Sequence, residues 1–225
     1  MSLKRRVKQL ILPSSPHIFR IRFGLAGGSL MKLNLQSQLQ RLLGLDELEI
    51  APAVRRGLAS AKSAVDVGAN DGYYTLVFLR SNAERVIACE PGAVAEELLR
   101  NIEVNHYQYE GRFVMERRPI GARSDELGLD TLLADLPRPL LVKIDIDGGE
   151  VDALASVGGL ADLENSLWVV ETHSAGLERE CVSWFATRGF KTSIVDHAWW
   201  RTFIPELRPG PQNRWLIAEG REFPV

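Results

Sequence analysis

The sequence predicts an α/β fold, a mixed and mostly parallel seven-stranded sheet with helices on both faces, preceded by a hairpin and helix extension. Three observations carry this expectation. Short apolar runs recur at Ser63–Val67, Arg85–Cys89 and Leu140–Ile144, as suits strands buried on both faces. Stretches with helical spacing separate them, the pattern of parallel β-α-β units. The first run passes through Gly68-Ala69-Asn70-Asp71-Gly72 into an apolar stretch from Tyr73 to Arg80. Strand, glycine turn and helix in that order make the expected fold Rossmann-like.

A chain of 225 residues can bury one good core. The division expected is an N-terminal extension over residues 1–60, capping a core over 61–225. A net charge of −2 gives no general attraction to nucleic acid. The two cysteines, Cys89 on an expected strand and Cys181 on an expected helix, form neither a metal spacing nor a disulfide framework. A reducing compartment, hence the cytoplasm, is the default. No apolar run approaches the ~20 residues that span a bilayer. Lys4, Arg5, Arg6 and Lys8 make a basic tail, read as loosely packed, with weak peripheral membrane contact as the sharper reading.

From His17 the chain alternates. Phe19, Ile21 and Phe23 are expected to face inward, between Ile18, Arg20 and Arg22. Gly24 to Gly28 supplies a turn, and Leu30–Leu33 returns as a hairpin. Gln36 to Ala61 reads as helix, broken near Gly44 and Pro52. Glu47 and Glu49 within it are expected to be exposed helix charge. Helix Tyr73–Arg80, strand Arg85–Cys89 and a helix from Gly92 to Asn105 follow. Val94, Leu98, Leu99, Ile102 and Val104 give that helix its apolar face. Phe113–Met115 is a third strand, Leu129–Leu133 a short helix and Leu140–Ile144 the fourth strand. A helix runs from Gly148 to Val157, then strand Leu167–Val170, helix Leu177–Arg188, strand Phe190–Val195 and a last strand Arg214–Ala218.

Candidate site residues cluster at strand ends, where open α/β sheets bind ligands. Asp66 sits in the first strand. Gly68 and Gly72 are expected to let backbone approach a ligand closely. Their G-x-x-x-G spacing lacks the second early glycine of a dinucleotide fingerprint, which favours a ligand without a pyrophosphate. Glu90, 24 residues after Asp66, ends the second strand where a ribose diol is held. Pro91 suits the following helical turn. Asp145, Asp147, Glu171 and His173 close the fourth and fifth strands. Six ionisable groups on one sheet edge are costly unless they do chemistry. For Asp145 alone a helix-capping role is the competing explanation.

Three quoted stretches, Asp66-Val67-Gly68-Ala69-Asn70-Asp71-Gly72-Tyr73-Tyr74-Thr75, then Cys89-Glu90-Pro91, then Val142-Lys143-Ile144-Asp145-Ile146-Asp147-Gly148-Gly149-Glu150, together resemble the FkbM family of S-adenosylmethionine (SAM)-dependent methyltransferases. The likeness runs over roughly residues 45–220. That family usually shows Asp-Val-Glu-Gly-x-Glu at the third motif, where this chain has the shorter Asp147. The resemblance implies a class I, Rossmann-like enzyme. It implies SAM contacts from Asp66, Gly68, Asn70, Gly72, Thr75, Glu90, Pro91 and Asp145, and adenine packing by Ile120. It also places a glutamate of the Glu47/Glu49 region near the cofactor, and a hairpin over the cofactor side.

The function expected is O-methylation of a hydroxyl on a small or sugar-like acceptor. Asp145, Asp147 and His173 are the candidate catalytic residues, since the transfer needs alignment and a base but no protein nucleophile. No metal ligand is assigned. Mg²⁺ held by Asp145, Asp147, Glu171 and His173 is the less favoured mechanism. A SAM-binding protein without catalysis is one rival; a nicotinamide-dependent oxidoreductase is a weaker one. No nucleic-acid partner is expected.

Overall fold

The computed structural model describes residues 12–105, 111–159, 162–202 and 213–224. The basic tail of the first eight residues lies outside them. Strands β1 (His17–Arg20) and β2 (Leu30–Leu33) form an antiparallel hairpin, with His17 opposite Leu33 and Arg20 opposite Leu30. Helix α1 (Leu35–Leu42), a 3₁₀ turn (Leu48–Ile50) and helix α2 (Ala51–Ser60) complete the extension. The break near Gly44 falls where expected. Pro52 causes no second break, because it lies in the first turn of α2, where a missing N–H costs nothing.

The main sheet alternates with helices: β3 (Ser63–Val67), α3 (Tyr73–Leu79), β4 (Arg85–Cys89), α4 (Ala95–Glu103), β5 (Phe113–Glu116), α5 (Leu129–Leu133), β6 (Leu140–Ile144), α6 (Glu150–Ala155), β7 (Ser166–Thr172), α7 (Ala175–Ala186), β8 (Lys191–Val195) and β9 (Arg214–Glu219). The strand order is β5-β4-β3-β6-β7-β9-β8. All pairs are parallel except those of β9, which runs antiparallel to β7 and β8. The chain winds outward from β3 to β5 and then returns to lay β6 beside β3. That reversal makes a switch point between the carboxyl ends of β3 and β6.

Alternation along the buried strands sorts two cores onto the two faces. Ala64, Ala88, Leu141 and Val169 face α2, α3, α4 and the hairpin. Val65, Val142, Trp168 and Leu216 face α5, α6 and α7. Helix α3 is apolar all round because it is covered all round: every residue from Tyr73 to Leu79 is buried. Sheet lies on one side of the same cluster, and Ala26, Met31 and Leu33 of the extension contribute to it. Two backbone N–H groups of β2 are taken by α4 and the residues just after it, Lys32 N donating to Asn101 Oδ1 at 2.9 Å and Leu30 N to Asn105 Oδ1 at 2.8 Å. The expected inward alternation fails at Phe23, which is 68% exposed, because the strand already ends at Arg20.

Candidate active site

At the switch point lies a cavity of about 700 Å³. Asp66, Glu90, Asp145, Asp147, Glu171 and His173 all line it. So do Gly68, Asn70 and Pro91, along with Arg41, Glu47, Asp71, Tyr73, Tyr74, Lys143 and Asn213. Gly72, Thr75 and Ile120 are not among the lining residues. Thr75 is buried and donates its hydroxyl to Asp66 Oδ2 at 2.7 Å. Ile120 packs in the core on the α5–α6 face and bridges to Leu127. Both glycines are required by packing within the protein. A Cβ on Gly68, whose φ is +82°, would lie 1.9 Å from the Asp145 carbonyl oxygen. One on Gly72 would lie 2.8 Å from Leu98 Cγ. The close approach that they permit within the protein is of strand end to strand end and of helix to helix, and Gly68 also lines the cavity.

Glu90 is pinned from two sides. Asn70 N donates to one carboxylate oxygen at 3.0 Å and Gly92 N to the other at 2.7 Å. Each oxygen keeps a further lone pair, so the group can still accept from two hydroxyls of a ligand. Asn70 reaches this position in a left-handed conformation, φ 49°. Asp71 beside it is held from the extension: Arg41 contacts both its oxygens, and Gln38 Nε2 donates at 3.0 Å.

Beneath the cavity a cation is buried among acids. Lys143 and Asp66 are register partners on β6 and β3. Lys143 is 2% exposed, donates to Asp145 Oδ2 at 3.1 Å, lies 4.0 Å from Glu47 and sits 4.6 Å from the centre of the Tyr74 ring. Burial would lower its pKa, but Asp145, Glu47, Asp66 and Glu171 outweigh that and hold it above the ordinary lysine value. Asp66 shows the opposite balance. Burial pushes its carboxyl up to about 6, against the pull of Lys143 and the Thr75 hydrogen bond. A lysine inside an apolar strand was the available sign of this arrangement, since a buried ammonium must bring acids with it.

Across the cavity, His173 is the meeting point. Its Nδ1 hydrogen-bonds Glu150 Oε1. Its Nε2 lies 3.1 Å from Asp147, 3.7 Å from Asp145 and 4.0 Å from Glu171. The hydrogen bond to Glu150 raises the imidazole pKa; burial opposes it, and the charges of Glu150, Glu171 and Asp145 add to it. Glu171 is fully buried and accepts from Asn213 Nδ2 at 3.1 Å. Asp145, Glu171 and His173 each offer one atom within 4.8 Å of the others, a spacing compatible with a cation. Asp145 is not the cap of α6: Gly149 holds its N-cap position, and among the described residues Asp145 makes no capping bond to it.

Two glutamates expected on an exposed helix face turn inward instead, Glu47 buried and Glu49 partly so. Glu47 is 2% exposed, has a left-handed φ of 45° and lines the cavity. Glu49 is bound by Arg201 and by Ala198 N, which lowers its pKa against the effect of burial. The 3₁₀ turn between α1 and α2 turns them inward, which a continuous helical reading could not show.

No family model matches the chain, and no curated protein matches it. Solved structures do. Methyltransferase FkbM from Methylobacillus flagellatus is 17% identical with a TM-score of 0.56, over 70% of this chain and 43% of that one. TYW2 from M. jannaschii, solved in complex with AdoMet, is 15% identical with a TM-score of 0.52, over 92% and 86%. Precorrin 8w decarboxylase from Methanobacterium thermoautotrophicum is 17% identical with a TM-score of 0.52, over 77% and 90%. The chain thus spans under half the length of the M. flagellatus protein. These likenesses establish the fold: the chain has a Rossmann-like α/β fold shared with these proteins.

Proposed function

We propose that this protein is a SAM-dependent O-methyltransferase acting on a small or sugar-like hydroxylated acceptor. One observation carries the reading: carboxylates at the ends of β3 and β4 share a cavity with an acid–histidine cluster at the ends of β6 and β7. Glu90 suits the ribose, with two anchored oxygens and lone pairs to spare. The acids lining the cavity suit a cationic sulfonium and an ammonium. The comparisons support methyl-transfer chemistry in general, and the FkbM likeness of the three motifs supports the finer assignment.

SAM, when bound, supplies an activated methyl group with a neutral thioether as leaving group. The remaining work falls to the chain. Glu90 and the turn at Gly68–Asn70 hold the nucleoside end. Asp145, tied to Lys143, is fixed between the two halves of the cavity. His173 Nε2 takes the proton that leaves the acceptor hydroxyl as its oxygen gains the methyl group. The segment through residue 60 acts as a cap, since Arg41 and Glu47 complete the cavity wall.

Calorimetry with SAM, S-adenosylhomocysteine and NAD tests the cofactor, and radiolabelled methyl transfer onto a panel of sugars and small polyols tests the reaction. Binding of both sulfur compounds at 1:1, with no NAD binding, is expected. NAD binding without SAM binding would replace this reading with the oxidoreductase one. SAM binding with no transfer to any hydroxylated acceptor would favour the non-catalytic one.

A further inference from the structure

Glu150 begins helix α6, is fully buried and is absent from the cavity wall, yet it touches the one side chain best placed to move a proton. We propose that Glu150 is a positioning residue for His173: its carboxylate accepts a hydrogen bond from Nδ1–H of the imidazole and so presents Nε2 to the cavity as the nitrogen that accepts the acceptor's proton. This rests on the reading of His173 as the base.

The geometry supports it from both sides of the ring. On one side, Glu150 Oε1 meets Nδ1 and also accepts from Gly148 N at 3.1 Å, so the carboxylate is itself held in place. On the other, Nε2 faces three carboxylates that line the cavity, Asp145, Asp147 and Glu171. A neutral imidazole carries one N–H, and a carboxylate can only accept. Acceptors flank both ring nitrogens, but Glu150 is fully buried and makes the closer contact, whereas Asp147 is 97% exposed and solvated. The single proton of the neutral ring therefore belongs on Nδ1, and the Nε2 lone pair faces the cavity. Asp147 now holds the place nearest Nε2. Its side chain is 97% exposed, so an incoming hydroxyl can displace it without disturbing the core.

A structural role alone accounts poorly for Glu150. Its Oε2 is buried with no hydrogen-bond partner among the described residues. A residue kept only for packing would be better apolar at that position. Retaining a half-satisfied buried carboxylate is explained if its charge is needed on His173.

The test is nitrogen NMR on the full chain labelled with ¹⁵N-histidine, recorded above the imidazole's titration, with His173→Gln assigning the signal. The wild type is expected as the Nδ1–H tautomer. Glu150→Ala should move the ratio of the tautomers toward Nε2–H by roughly 10- to 100-fold, the value of one hydrogen bond to a charged group. Unchanged SAM affinity in calorimetry would show that this variant is folded. If it does not fold, the wild-type spectrum decides alone. A wild-type Nε2–H tautomer, or a ratio that Glu150→Ala leaves unmoved, overturns the proposal. The spectrum needs no methyl transfer, so a chain that shows the Nδ1–H form but methylates nothing would refute the base and keep the positioning.

Discussion

One guanidinium nitrogen of Arg41, on helix α1, lies 2.7 and 2.6 Å from the two carboxylate oxygens of Asp71, in the turn between β3 and α3. Its Nε holds Asp46 at 2.8 Å at the same time. The N-terminal extension is thus tied into the turn that carries the putting-together of Gly68, Asn70 and Glu90. Arg41→Met would leave two acids in a poorly solvated place, so a loss of roughly 3 kcal/mol is expected, as for other broken buried pairs. Arg41→Lys should recover little of it, because an ammonium lacks the guanidinium fork. Urea midpoints measure both, and an unshifted midpoint in Arg41→Met would show that the contact contributes nothing.

Glu90 should govern cofactor affinity. Losing a hydrogen bond to a charged group costs about 1.5–3 kcal/mol. Glu90→Ala is therefore expected to weaken SAM binding roughly 10- to 100-fold. Calorimetry giving the wild-type Kd would remove Glu90 from the site.

His173→Ala should keep SAM affinity and lower turnover by ~10²–10⁴-fold, the usual worth of a general base. The Asp147→Asn variant is the control. Should that variant lose turnover while His173→Ala keeps it, the aspartate takes over the role of base.

Chelation should leave methyl transfer largely intact, because the histidine provides the base. Assays with and without EDTA decide this. Activity lost with EDTA and restored by Mg²⁺ would reassign Asp145, Glu171 and His173 to a cation.

Asp66 gives a pH dependence of stability. Its folded pKa of about 6 lies above the ordinary ~3.9 of an unfolded aspartate. Folding therefore takes up a proton between those values. The stabilisation is full below about pH 4 and is lost as pH rises through 6, amounting to roughly 3 kcal/mol at 1.36 kcal/mol per unit. Asp66→Asn should remove that component. Unfolding free energies of the two proteins, compared at pH 4 and pH 7.5, should differ by about this amount; parallel curves would contradict the burial argument.

Strands β3, β4, β6 and β7 were legible because buried parallel strands are nearly uniform in their apolarity; the shorter β5, the half-exposed β8 and the antiparallel β9 also lie where their runs predict. The six ionisable groups at strand ends were legible for the same reason: an acid next to an apolar run has few other places to go. What the chain hid was long-range. Arg41 and Asn213 reach the cavity only because the extension folds back and β9 runs against its neighbours, and neither event leaves a local pattern; Glu47 was indicated by the family likeness and not by its helical spacing. Glu150 lay within a recognised motif, but its role depends on a ring 23 positions away. The glycines were located correctly, but a demand on them from the chain itself could not be read, because the atoms that exclude a side chain there come from Asp145 and Leu98.

That last point changes what mutational tolerance can reveal. Any side chain at Gly68 would collide with the Asp145 carbonyl, whatever molecule the cavity takes. A variant library would therefore score Gly68 as intolerant for a nucleoside, a nicotinamide or nothing at all. Depletion at that position reports the seam between β3 and β6. The more informative columns of such a library are those of Glu90 and His173, whose side chains meet the chain through hydrogen bonds and leave atoms facing the cavity, so that a ligand can add its own demand.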